Sequence, residues 1–277
     1  MIARMRQALL AFSAAVALFG QGVVRADGGC RQAYELPFPL YGEVLVREAD
    51  GRLSGYAYDL VAELARRSQC SLSVTDVPAA RLQAMRKQGE IALLPFSAER
   101  APAPGYRFIA TDSVVHDMLV NVQRAPQPLT VDAVIADKRL VFGRVRGIQY
   151  GAEIDALFNQ LGPTRVDESS SIDDLLRKLA AGRIDAALQS PLAYHRKLNA
   201  LKSMARIEVL EYAGAPPQVV GWTLLSPPLD PQDAQLLGRS IQGMYEDGTT
   251  TKILARYIGE AKAKRARLPR RARESAP

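Results

Sequence analysis

The stretch that decides the fold is GEIALLPFSAER, from Gly89 to Arg100, and its pattern occurs in the chain twice. The second copy, GRIDAALQSP, starts at Gly182. The offset is 93 residues both from Gly89 to Gly182 and from Ser97 to Ser190. A helical pattern precedes each glycine, and glycine readily adopts the left-handed conformation that ends a helix. The apolar run that follows is too short for a helix and predicts a buried parallel strand.

The two polar ends of these strands predict one binding cleft. In open α/β sheets, ligands lie beyond the carboxyl ends of the strands, which here are residues 97–100 and 189–190. Helix–glycine–strand units also recur by chance in α/β proteins, so the repeat alone leaves both interpretations open.

The first 26 residues have the composition of a cleaved secretory signal. Arg4 and Arg6 precede an apolar run over residues 9–19, and Val24-Arg25-Ala26 offers the small residues that a signal peptidase recognises. The run is shorter than the roughly 20 residues that a membrane-spanning helix needs, although an uncleaved anchor is the alternative. We therefore expect a soluble mature protein outside the cytoplasm.

The net charge of +7 does not indicate nucleic-acid binding. Residues 1–26 carry +3 and residues 262–274 carry +6, which leaves −2 for the body of the chain. A near-neutral body lacks the basic surface that phosphate backbones require. The composition of residues 261–277 predicts a disordered basic tail, with contact to an anionic membrane as the alternative.

The two cysteines, Cys30 and Cys70, predict a disulfide in an exported chain, and two unpaired thiols are the alternative. A loop of this length would stabilise the protein by about 4 kcal/mol in the chain-entropy model. The two histidines are scattered, and the sequence groups no ligands for a metal and indicates no cofactor. Neither His116 nor His195 belongs to a catalytic triad pattern.

The order of predicted elements indicates two α/β lobes joined by two crossover strands. We assign residues 27–122 and 218–260 to the first lobe and residues 123–217 to the second. The alternating stretch Val114–Val122 is the predicted first crossover, and Gln218–Leu225 is the predicted return.

Four segments in this order resemble the bacterial extracellular solute-binding proteins of family three, the type II periplasmic binding proteins of polar amino acid ABC transporters. The segments are Gly55–Leu60 (GYAYDL), Ser97–Arg100 (SAER), Gly182–Ala186 (GRIDA) and Asp247–Thr249 (DGT). The resemblance covers residues 31–259 and implies a Venus flytrap fold, in which two lobes of mostly parallel sheets flanked by helices close on a ligand.

The resemblance also implies ligand-binding residues. Arg100 matches the arginine that binds a ligand carboxylate, and Ser97 matches a threonine that contributes its hydroxyl. Gln149 and Tyr150 lie in the matching loop of the second lobe. Ser190 stands near the position where amino-acid binders carry a carboxylate for the ligand ammonium, so that partner is missing here. Tyr41 either stacks on the ligand or packs at the lobe edge.

The resemblance therefore implies a periplasmic protein that captures a small carboxylate solute for an ABC permease in the inner membrane. We expect a monomer that is not an enzyme. Two alternatives remain: a sensory or accessory protein that binds a solute and reports to a membrane or redox partner, and a dehydratase-like enzyme on the same fold.

Overall fold

The computed structural model describes residues 29–99, 103–204 and 206–268 of the chain. The predicted signal over residues 1–26, the predicted ligand-binding residue Arg100 and residues 269–277 of the predicted tail lie outside the described residues. The described ranges form two α/β lobes.

The first lobe is built from both ends of the described chain. Before the first crossing it contains β1 (Tyr34–Phe38), β2 (Val46–Arg47), β3 (Leu53–Ser54), α1 (Tyr56–Ser68), β4 (Leu72–Asp76), α2 (Ala79–Gln88), β5 (Leu93–Ala98) and β6 (Tyr106–Val114). After the return it contains β12 (Gln218–Leu225), α8 (Pro231–Glu246), α9 (Thr249–Ile258) and α10 (Glu260–Ala266).

The first lobe contains three sheets, of which β2 with β3 is a short antiparallel pair. β1 and β4 pair in parallel, and β5, β12 and β6 form a sheet in which both pairs are antiparallel. The structure corrects the expectation of a parallel strand for β5. Its partner is β12, which returns from the second lobe and runs in the opposite direction.

The second lobe contains one sheet of five strands in the order β11-β7-β10-β8-β9. Its elements are β7 (Asp117–Asn121), α3 (Val131–Ala136), β8 (Phe142–Val145), α4 (Ala152–Leu161), β9 (Val166–Ser169), α5 (Ile172–Ala180), β10 (Ala186–Gln189), α6 (Pro191–Tyr194), a 3-10 helix (His195–Lys197), α7 (Leu198–Met204) and β11 (Ile207–Glu211). β10, β8 and β9 pair in parallel, whereas β7 is antiparallel to both of its neighbours.

The chain crosses between the lobes at residues 115–116 and 212–217. The prediction of a single strand over Val114–Val122 is therefore wrong. The strand is interrupted at Val115 and His116, and the segments on either side belong to different sheets. The return strand has the predicted bounds, Gln218–Leu225, and lies in the sheet of the first lobe.

Local sequence signals fix the helix ends near the cleft. α2 ends at Gly89, whose φ of 72° is the left-handed conformation expected for this glycine. α5 begins after Ser171, whose hydroxyl accepts a hydrogen bond from the backbone N–H of Asp174 at 3.1 Å. α2 precedes β5 and α5 precedes β10, so the two strands occupy corresponding positions in the two copies of the repeat.

The predicted disordered tail starts too early. Residues 260–266 form α10, which packs on α9 and β6, and Ala263 is fully buried. The Arg267 guanidinium lies 4.9 Å from the ring centroid of Tyr245 and donates to the Tyr245 carbonyl at 2.8 Å. Composition suggested disorder because the small apolar residues that pack here are spaced among many basic ones.

Cys30 and Cys70 form a disulfide, with their Cα atoms 4.7 Å apart. The bond connects the start of the described chain to Cys70, which lies two positions after the end of α1. Within the described ranges, no helix is long and apolar enough to cross a membrane.

Candidate functional site

A cavity of about 130 Å³ lies between the two lobes. Elements from both lobes and from the first crossing line it. They contribute Phe38, Pro39, Tyr41, Val44, Ala79, Leu82, Gln83, Arg86, Leu94, Phe96, Ser97, Ala98, Val114, His116, Gly147, Ile148, Gln149, Ser190, Gln218 and Val220. A site that both lobes complete can respond to a ligand by opening and closing.

The two copies of the repeat meet at this cavity. Ser97, at the end of β5, and Ser190, directly after β10, both line it. The Ser97 hydroxyl shares a hydrogen bond of 2.7 Å with the hydroxyl of Thr223 on β12. Ser190 precedes α6 and makes no side-chain capping bond to that helix. The structure thus brings together the two half-sites that the sequence places 93 residues apart.

Tyr41 and Tyr150 belong to a buried hydrogen-bond network beside the cavity. The Tyr41 hydroxyl donates to the side-chain oxygen of Gln189, and the Gln189 amide donates to the Tyr150 hydroxyl at 3.1 Å. The backbone N–H of Val145 donates to the same Tyr150 oxygen at 2.8 Å. Tyr41 lines the cavity, whereas Tyr150 does not. Burial raises the pKa of both phenols, so both stay protonated at neutral pH.

The loop before α4 reaches across the cleft to the first lobe. Its Gln149 lines the cavity and is exposed. The side-chain amide of Gln83, on α2, donates to the Gly147 carbonyl at 3.3 Å. A Cβ at Gly147 would lie 2.9 Å from the backbone nitrogen of Ala80, so the two lobes touch closely here.

A further direct contact joins the two lobes. The backbone N–H of Glu43 donates to the carbonyl of Leu192, on α6, at 2.7 Å. Together with the Gln83 contact, this bond shows that the lobes are closed on each other.

The charge of the described lining is cationic. Arg86 supplies a guanidinium, and no carboxylate is found among the described lining residues. Burial lowers the pKa of His116 to about 4, so its imidazole is neutral at pH 7. The buried carboxyl of Asp112, on β6, does not line the cavity and accepts a hydrogen bond from the Tyr56 hydroxyl at 3.3 Å.

Phe96 has an unusual backbone for a residue with a side chain. Its φ is +46°, and the pairing of β5 with β12 shifts register between Gly221 and Thr223, opposite this residue. Such bulges turn a side chain away from its regular direction. The Phe96 ring lines the cavity and packs edge-on against Tyr56, with ring centroids 5.4 Å apart.

Several lining residues were absent from the sequence prediction, among them Gln83, Arg86, Phe96 and Gln218. One signal for the α2 residues existed. The sequence of this helix, AARLQAMRKQ, has only two large apolar side chains, Leu82 and Met85, so most of its surface must meet solvent or other polar groups. In the structure, Gln83 and Arg86 of this helix line the cleft.

Arg100 follows Ala98, the last residue of β5, by two positions and lies outside the described residues. Among the residues that are described, no group of three or more His, Cys, Asp or Glu side chains is placed to hold a metal ion.

No protein-family model matches the chain, and no curated protein matches it in sequence. Solved structures do match. A substrate-binding protein of an ABC uptake transporter from Streptococcus pneumoniae, with bound histidine, has a TM-score of 0.66 at 15% identity, over 82% of this chain and 92% of that chain. An ancestral arginine-binding protein bound to arginine has a TM-score of 0.65 at 12% identity, over 83% and 99%.

A histidine kinase sensor domain with similarity to periplasmic binding proteins matches equally well, with a TM-score of 0.65 at 16% identity, over 83% of this chain and 96% of that chain. At such low identities the similarity establishes the fold and leaves the ligand open. The chain has the two-lobed α/β fold of the type II periplasmic binding proteins.

Proposed function

We propose that this protein is exported to the periplasm, where it captures a small carboxylate solute between its lobes and delivers it to an ABC importer. The observation that carries the proposal is the lining of the cavity between the lobes. It combines a guanidinium, three amides and two serine hydroxyls, and its described part contains no acidic side chain. This set of donors suits an anion.

Arg86 and Arg100 are the proposed anchors of the carboxylate. A guanidinium presents paired N–H donors that match the two oxygens of a carboxylate. Arg86 lines the cavity from α2. Arg100, the anchor implied by the sequence, directly follows a segment whose Ser97 and Ala98 line the cavity. Ser97, Gln149 and Ser190 supply further hydrogen-bonding groups, and Tyr41 fixes the edge of the site through Gln189.

Lobe closure supports a binding role. Among the described residues, the direct contacts of the closed arrangement include those of Gln83 with Gly147, Glu43 with Leu192, Tyr41 with Gln189 and Arg196 with Glu48. A ligand that contacts both lobes adds contacts only in the closed state and shifts the population toward it. An importer that recognises the closed form would then select the loaded protein.

The described cavity favours binding over catalysis. General acid–base catalysis works best with a group whose pKa lies near the working pH. His116 is the only described lining residue with an imidazole, and its pKa of about 4 keeps it neutral. A dehydratase would consume its ligand, so the recovery of intact solute after incubation separates this alternative from simple binding.

A sensory role is the second candidate, favoured by the similarity to a histidine kinase sensor domain. Uptake of radiolabelled solute by cells with and without the protein distinguishes the roles. Transport predicts that uptake falls without the protein, whereas a sensor leaves uptake unchanged when the importer is expressed from an independent promoter.

The test of binding is a thermal-shift screen against monocarboxylates, dicarboxylates, amino acids and amines. A ligand at 100 times its Kd adds about 2.7 kcal/mol to the free energy of unfolding, so a carboxylate should raise the melting temperature. Arg86→Ala and Arg100→Ala should each weaken binding about 10- to 100-fold. Arg81→Ala, an exposed position on the same helix, is the matched control.

Two results would contradict the proposal. One is a screen in which amines alone raise the melting temperature. The other is a carboxylate that binds both arginine variants as tightly as the wild type.

A further inference from the structure

We infer that the solute carries its carboxylate on an apolar body about the size of one six-membered ring, that it lacks an ammonium group, and that Phe96 is the residue that selects this body. The inference rests on the proposed function, because it names the class of solute that the same cleft takes.

The size of the body follows from the cavity volume. The cavity between the lobes measures about 130 Å³. An engineered protein cavity of about 150 Å³ binds one benzene molecule. The site therefore has room for a single ring or a branched chain of similar volume.

The apolar character of the body follows from the walls. Leu82, Leu94 and Val220 approach the cavity from the first lobe, and Ile148 approaches it from the second. Leu82, Leu94 and Val220 are also buried, so they form fixed walls. A polar group set against these four apolar side chains would lose its hydration without gaining hydrogen bonds from them.

Phe96 is the apolar lining residue whose backbone departs from the usual conformation. A bulge in the β5–β12 pairing and a φ of +46° together turn its ring toward the cavity. Strained backbone of this kind persists only where the surroundings enforce it, and it clusters at ligand sites. Tyr56 provides the support, because its fully buried ring meets Phe96 edge-on at an interplanar angle of 86°. Phe96 is half-buried and lines the cavity, which leaves part of its ring to contact the solute.

The absence of an ammonium group follows from the charge of the lining. An ammonium group that is buried without an acidic partner loses its hydration and gains no compensating ion pair. The described lining offers no carboxylate, and its one charged residue, Arg86, is itself a cation. An amino acid would therefore place its ammonium group beside a guanidinium, while the acidic side chains of the neighbouring cavity, Glu99, Glu153 and Asp155, lie outside this lining.

Calorimetric titrations of the full-length protein with chosen pairs of probes test this inference. Cyclohexanecarboxylate and 1-aminocyclohexanecarboxylate differ only by the ammonium group, benzoate and benzamide differ only in the charge of the carboxyl end, and butyrate lacks the ring. We expect cyclohexanecarboxylate to bind at least about 100-fold more tightly than its amino analogue. Benzoate should bind and benzamide should not.

Two variants test the role of Phe96. Phe96→Ala should reduce the preference for cyclohexanecarboxylate over butyrate about tenfold or more, whereas Phe96→Leu, which keeps an apolar wall, should retain most of it. The melting temperature without ligand shows whether each variant is folded. A purely structural role would change that temperature and leave the preference intact, which would overturn the assignment of Phe96.

Failure of this inference can be told apart from failure of the proposed function. Equal binding of the amino analogue would overturn the inference and leave a carboxylate-binding protein. Binding of benzamide as tight as that of benzoate would overturn the proposed function as well, because the carboxylate would then contribute nothing.

Discussion

The hydroxyl of Tyr41, on the first lobe, donates a hydrogen bond to the side-chain oxygen of Gln189, on the second lobe, and both residues are buried. The Gln189 amide in turn donates a hydrogen bond to the Tyr150 hydroxyl. The site therefore has a polar bridge between the lobes at its edge, and the bridge can form only when the lobes are closed. Closure and ligand binding share this part of the molecule.

Tyr41→Phe should favour the open form. The variant leaves the Gln189 oxygen buried without this donor, which costs about 1 to 3 kcal/mol in the closed state and much less once water reaches the amide. We expect an increased radius of gyration by small-angle scattering and weaker ligand binding. Tyr58→Phe, at an exposed position on α1, is the control. An unchanged radius and affinity would show that the bridge does not hold the lobes.

Gly147→Ala should weaken ligand binding while the protein stays folded. The new Cβ would meet the backbone of Ala80 at 2.9 Å and hold the lobes apart. Gly89→Ala is the matched control, since its φ is also positive, 72° against 80°, but nothing lies within 4 Å of its Cβ. The two variants should lose similar stability, about 1 kcal/mol, and only the first should lose affinity. Equal affinities by calorimetry would contradict closure at Gly147.

Asp112 should make stability fall as the pH rises. Burial raises the pKa of its carboxyl from 3.8 to about 6. Between these two values the folded state binds more protons than the unfolded state, so the contribution is complete below about pH 4 and is lost as the pH rises through about 6.

Asp112→Asn isolates this effect, because the amide does not titrate. The free energy of unfolding of the wild type, relative to the variant, should decrease by on the order of 3 kcal/mol between pH 4 and pH 7. Urea unfolding at both pH values measures the difference. A constant difference would mean that the carboxyl titrates alike in the folded and unfolded states.

The Cys30–Cys70 disulfide should be a large part of the stability of the first lobe. Replacing both cysteines with serine should lower the free energy of unfolding by about 4 kcal/mol, because the bond closes a loop over a separation of 40 residues. Denaturant unfolding with and without a reducing agent provides the check. Wild type under reducing conditions should match the double variant, and a wild type that is insensitive to reduction would contradict the prediction.

The position of Ser97 and Ser190 in the fold could be predicted from the sequence because its signals are local. The glycine of each repeat marks a helix end, and the polar residues after each strand mark the edge of a sheet. Ser97 and Ser190 meet at the cavity for this reason. The start of α5 after Ser171 likewise depends on residues within one turn.

The rest depends on partners that are distant in sequence. The conformation of Phe96 depends on the shift in register between β5 and β12 near Thr223. The local sequence around Phe96 does not predict this shift. The break at Val115 and His116 separates two sheets within one stretch of strand-forming residues. Likewise, the packing of α10 on β6 requires knowing where β6 lies. Arg86 was missed because a polar helical face resembles a solvated surface until the second lobe covers it.

The most direct test of carboxylate capture between the lobes is a crystal structure of the protein with benzoate. The account predicts density for one benzoate in the cavity, with its carboxylate within hydrogen-bonding distance of Arg86 or Arg100 and its ring against Phe96. Benzoate bound elsewhere, for example in the cavity that Val115 and Ile258 line, would contradict the account.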